Sequence, residues 1–183
     1  MPRLVSFVTL ILGLCCLFVG CNRQTDQPRI GITLNDFLMD GSELGPSINN
    51  HSIDSLRHLP PEMSIPRNPH HSTDERFVLA ISGSSSQGQL TSDGICAALY
   101  AHYEADGIDV GIYGLEATTM GVANDREKRL KEIWAKNIDL DRARLHRKDL
   151  HLILTWHDGV SVESWDAINN EVVSRLGDPN ANQ

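Results

Sequence analysis

A small α/β domain with a parallel sheet is the fold class this chain predicts, and three observations predict it. Apolar or alternating stretches are separated by helical patterns over residues 74–177. Pro28, Pro46, Pro60, Pro61, Pro66 and Pro69 all precede this region, and no proline interrupts it before Pro179. The resulting order, β-α-β-α-β-α, argues for parallel strands joined by right-handed crossovers. The apolar first strand suits the centre and two amphipathic strands suit the edges, so the expected sheet is three-stranded in the order 2-1-3. Residues 29–34, which alternate, offer a fourth strand.

Each element has its own signal. The continuous apolar run at 77–81 reads as the buried central strand. A Gly/Ser/Gln loop follows at 83–89. Thr91 or Ser92 then caps a helix whose Ile95, Ala98, Leu99 and His102 share a face, with Gly107 ending it. Ile108, Val110 and Ile112 alternate as a second strand. Asn124 and Glu127 form a polar capping box. It opens a helix with Leu130, Ile133 and Trp134 inward and a Glu127–Lys131 pair outside. A less regular helical piece spans about 139–147. Leu152, Leu154 and Trp156 alternate with Ile153, Thr155 and His157 as a third strand. Ser161 caps a last helix with Trp165, Ile168, Val172 and Leu176 inward, closed by Arg175 and Gly177.

The rest of the chain divides by composition. Residues 1–20 carry a single charged side chain, Arg3, and residues 4–20 none, the pattern of an export signal. The run ends Leu17, Phe18, Val19, Gly20, Cys21. This stretch resembles the lipobox of bacterial lipoproteins. The resemblance implies that the leader is cut before Cys21, that Cys21 is diacylated, and that the new amino terminus is usually acylated too. At least two acyl chains are needed for stable attachment, and the modification supplies them. Asn22, where aspartate favours retention in the inner membrane of enterobacteria, implies the outer membrane in a host that has one. The implied location is the cell envelope, facing the periplasm or exterior. Residues 21–28 are then the lipidated cysteine and a polar tether. Residues 29–73 read as a Pro-rich linker or partner-binding arm, with a helical turn at 53–58, an extended run from Pro60 to Pro69, and adjacent His70 and His71 inside the linker. Residues 178–183 read as a disordered tail.

Charge excludes one class of partner. Without residues 1–20 the chain keeps 15 basic and 24 acidic residues, a net charge of −9. An acidic surface without a basic run argues against nucleic acid. The expected partners are the membrane, through the anchor, and an envelope protein. Of four cysteines, only Cys21 and Cys96 lie past the leader, and Cys96 reads as buried in an apolar helix.

In a parallel sheet, ligands bind beyond the carboxyl ends of the strands. Three loops would meet there. They carry Ser84, Ser85, Ser86 and Gln87, then Glu116 and Thr118, then His157 and Asp158. One reading is a small hydrolase with Ser85 as nucleophile and His157 as base. Residues 83–88 miss the G-x-S-x-G elbow by one position. His157 and Asp158, being adjacent, would point to opposite sheet faces. The loop also lacks the lysine and spacing of a P-loop. His151 and His157 share a strand face but stand roughly 20 Å apart, too far for one ion. A thioredoxin-like domain would need C-x-x-C and a facing proline, which residues 70–178 lack. The sequence therefore favours an envelope lipoprotein whose domain binds or scaffolds, with neither metal nor other cofactor. The hydrolase stands second.

Overall fold

Two tight hairpins organise this fold, and both oppose the parallel arrangement expected from sequence. The computed structural model describes residues 31–57, 59–60, 63–137 and 140–177. The leader, Cys21, the tether and the tail lie outside the described residues. The strands are β1 (Ile48–Asn50), β2 (His70–Ser72), β3 (Ile95–Ala105), β4 (Ile108–Ala117), β5 (Ala143–Lys148) and β6 (His151–His157). The helices are α1 (Gly41–Leu44), α2 (Glu75–Ser85), α3 (Met120–Asn137) and α4 (Val162–Leu176), with single 3-10 turns at Leu34–Phe37, Ile53–Ser55 and Leu140–Arg142. They build one six-stranded sheet, ordered β1-β3-β4-β6-β5, in which every pairing is antiparallel. β2 lies beside β1 on the outer edge of β3.

The β3–β4 turn explains the first correction. Asp106 and Gly107 both adopt positive φ, 54° and 78°. This is the Asp-Gly signature of a two-residue hairpin whose twist matches its strands. Gly107 therefore turns a hairpin rather than ending a helix, and most of the helix expected after Thr91 or Ser92 is the eleven-residue strand β3. Nine of them are buried, because both faces of the sheet are covered. A strand in that position loses its alternation and cannot be told from a buried helix by pattern.

The opposite exchange occurs at 77–81. Asp74 accepts hydrogen bonds from the backbone N–H groups of Arg76 and Phe77, capping α2. Phe77, Val78 and Ile81 face inward while Leu79 is half exposed. Five apolar residues in a row fit either state, and the cap decides. Residues 143–148, expected to be helical, form edge strand β5, hairpinned to β6 through a turn with Asp149 at φ 51°. β6 is thus interior rather than an edge, and all seven of its residues are buried. His70 and His71 belong to β2, paired with Tyr100 and Leu99.

Other elements follow expectation. α3 buries Leu130, Ile133 and Trp134, with Lys131 Nζ 2.7 Å from Glu127 Oε1 outside. In α4, Ser161 Oγ accepts the Ser164 N–H, Gly177 closes in the left-handed region, and Trp165, Ile168, Val172 and Leu176 are buried. Ile53–Ser55 is a helical turn, whereas residues 31–33 form no strand.

Two cores result. On one face, Tyr100, Tyr113, Leu115, Leu152 and Leu154 pack against Phe77 and Ile81 of α2 and Leu130 and Trp134 of α3. On the other, Leu99, Tyr103, Val110, Ile112 and Ile153 pack against α4 and against Leu34, Phe37, Met39, Leu44 and Ile48. Residues 34–48 therefore supply core side chains. Among the described residues no helix is long and apolar enough to cross a membrane.

Candidate functional site

The sequence-predicted residues do not converge. Ser85 ends α2 on the first face, buried, with Oγ donating to the Ser82 carbonyl and its own carbonyl accepting the Trp134 indole N–H. His157 lies on the second face, its ring 4.4 Å from that of Trp165. The sheet separates the two. Both ring nitrogens of His157 are engaged. Nδ1 accepts the Gly159 and Val160 N–H groups, and Nε2 donates to the Asp141 carbonyl at 3.0 Å. The histidine organises the turn after β6 and has no lone pair directed at Ser85.

The remaining candidates scatter as well. Ser86 is buried, donating to the Ser82 carbonyl and accepting the Leu90 N–H. Glu116 is buried and faces His151 across the β4–β6 register at 3.8 Å. Thr118 is exposed and donates to the Gly94 carbonyl. Asp158 is exposed. Cys96 is half-buried on β3, its Sγ 3.5 Å from the Glu116 carbonyl. Only Ser84 and Gln87 share a surface. They line an open cleft of about 1270 Å³ beside α2, together with Arg76, Leu79, Gln89 and Thr91.

A polar cluster that the sequence reading missed lies on the first face, beyond the reach of α2 and α3. His51 follows β1, His102 belongs to β3 and Asp109 to β4. Register places His102 opposite Gly111 and Asp109 opposite Glu104, so His102 and Asp109 are diagonal neighbours on one face. Asp109 Oδ1 lies 2.7 Å from His51 Nε2 and 3.4 Å from His102 Nε2. Its Oδ2 lies 2.8 Å from Arg57 Nη1. The two imidazoles stack with centroids 4.1 Å apart. Burial by itself pushes the Asp109 carboxyl up. The His51 hydrogen bond and the charges of His102, Arg57 and His51 outweigh it and hold the group below the usual carboxylate range.

The backbone around the cluster is equally committed. The Asn68 side chain donates to the carbonyls of His51 and His102 and accepts the His102 N–H. The Arg57 N–H donates to His102 Nδ1 at 3.3 Å, and the Arg57 carbonyl accepts the Tyr100 hydroxyl. A nitrogen that accepts carries no proton, so neutral His102 holds its proton on Nε2, toward Asp109.

The donors His51, His102 and Asp109 lie within 4.8 Å of one another, close enough for one divalent cation. Two features oppose that use. The protonated Nε2 of His102 offers no lone pair in this tautomer, and the Arg57 guanidinium already neutralises the carboxylate. The arrangement is suited instead to holding and moving protons. The signal that could have located it is the Asp106-Gly107 dipeptide. Reading it as a hairpin places His102 and Asp109 on one face, although His51 and Arg57 arrive from a segment without regular pattern.

No family model, curated protein or solved structure matches this chain.

Proposed function

We propose that the protein is a lipoprotein of the cell envelope, anchored through Cys21, whose domain binds or scaffolds a partner at the cleft beside α2. The anchor rests on the lipobox-like run that ends at Cys21. The binding role rests on one observation: Ser84 and Gln87 open onto the cleft, while Ser85 and His157 are buried on opposite sides of the sheet. The cleft mixes half-exposed Leu79 with Arg76, Asp74, Gln89 and Thr91, a surface suited to a partner with both apolar and hydrogen-bonding groups. The partner is an envelope protein, and the net charge disfavours nucleic acid.

A photo-crosslinker at Gln87 tests this in membranes of the producing cell. Adducts to an envelope protein are expected from Gln87 and not from Glu104, an exposed residue of β3 remote from the cleft lining. The hydrolase alternative predicts turnover of an ester, phosphate or glycoside that vanishes in Ser85→Ala or His157→Ala. That result would overturn the binding role.

A further inference from the structure

The segment 51–57 crosses the sheet face like a strap, and one of its fastenings is an imidazole nitrogen. The strap leaves β1 at His51, makes the Ile53–Ser55 turn, and ends at Arg57 over β3. Arg57 is held at three points: its N–H on His102 Nδ1, its carbonyl on the Tyr100 hydroxyl, and its guanidinium on Asp109. We propose that His102 makes this strap acid-released: protonation of its buried ring sets a second N–H against the Arg57 N–H and lifts the strap from the aromatic row beneath.

The argument is geometric. His102 is wholly buried, between the ring of His51 at 4.1 Å and that of Trp156 at 5.6 Å. Its Nδ1 lone pair is the acceptor for Arg57. Adding a proton there replaces a hydrogen bond with two opposed donors, and Arg57 must move for the charged ring to find an acceptor or water.

The charges around it oppose a proton there. Facing His102 among the described residues are His51 and Arg57 from the strap, Asp109 from β4, and Tyr100 from its own strand. Trp156 of β6 and Asn68 add none. With both histidines neutral, Arg57 and Asp109 balance. His51 points Nε2 at Asp109, 2.7 Å away, and Nδ1 at Ser55 Oγ, 3.2 Å away. A proton on His102 adds a cation stacked on the His51 ring and close to the Arg57 guanidinium, with the carboxylate of Asp109 shared between them. Asp109, held below the usual range, keeps its charge throughout, so the release belongs to histidine rather than to loss of the carboxylate.

Hydrogen exchange of the full chain in detergent micelles tests this, at about pH 7.5 and about pH 5, on either side of the histidine range, with exchange times scaled for intrinsic chemistry. Protection of residues 51–57 is expected to fall by up to about tenfold per pH unit below about 6.5, the slope of one linked proton. β3 and β4 should stay protected. His102→Gln, which keeps an uncharged acceptor, is expected to hold the strap closed at both pH values. Unchanged strap protection in the native protein, or the same loss in His102→Gln, would overturn the proposal. Ring ¹⁵N shifts of native His102 decide the matter if the variant does not fold. A neutral ring protonated at Nε2 while the Arg57 amide is protected supports it. A proton on Nδ1 with that amide still protected overturns it.

Discussion

Asp109 joins the other three charged or titratable side chains of the cluster, His51, His102 and Arg57, and its substitution separates charge from shape. Asp109→Asn keeps the size but leaves Arg57 and the two histidines without a counter-charge. We expect a loss of about 1–3 kcal/mol in denaturant unfolding, the range for a charge-assisted buried hydrogen bond. The pH dependence has a fixed sign. A carboxyl depressed in the folded state adds stability above its unfolded value near 3.9, and that stability drains away as pH falls through the folded value. The native protein should therefore lose stability on acidification below about pH 4 through this group, and Asp109→Asn should lose less there. Gly111 offers a second test at this scale. The Trp156 indole lies across it, so that a Cβ would run into the ring. Gly111→Ala is expected to cost about 1–3 kcal/mol by overpacking, with a change in Trp156 fluorescence reporting the displaced ring.

At the scale of elements, local chemistry decided what periodicity left open. The α4 helix was legible because Ser161, Arg175 and Gly177 bracket an apolar stripe of the right period. The exchange of helix and strand across residues 75–105 arose because Phe77, Val78 and Ile81 sit in an unbroken apolar run, and because β3 is buried on both faces. The decisive signs were short: Asp74 capping α2, and Asp106-Gly107 turning the hairpin. Both can be measured. Ser161→Ala should destabilise by about 1 kcal/mol, as loss of an N-cap does, read from the shift in urea midpoint. Gly107→Ala meets nothing within 4 Å, so its cost is purely that of a side chain in the left-handed region. We expect about 1–2 kcal/mol, read from the same midpoint shift.

At the scale of the whole molecule, helices on both faces of a sheet implied parallel strands, and here they cover an antiparallel one. Covering both faces needs more helical surface than three regular helices supply. Residues 34–48 and the strap provide the remainder, with Leu34, Phe37 and Met39 buried on one side and His51 against His102 on the other. Their irregular, proline-flanked sequence carries no periodicity, which is why a linker and an arm were expected there. The candidate site was illegible for the same reason. Its His51 and Arg57 come from a segment that only the tertiary fold brings to the His102–Asp109 hairpin, while the serine-rich stretch at 82–86 turns its hydroxyls mostly inward. The proposed roles of the cleft at Ser84 and Gln87 and of the strap at His102 both depend on the proposal that the domain is held at a membrane and exposed to external conditions. That placement is the claim on which the account turns. The mass of the N-terminal peptide from membrane-extracted protein tests it most directly: the account predicts a peptide that begins at Cys21 and carries two or three acyl chains, and an unmodified peptide that begins at Met1 would contradict it.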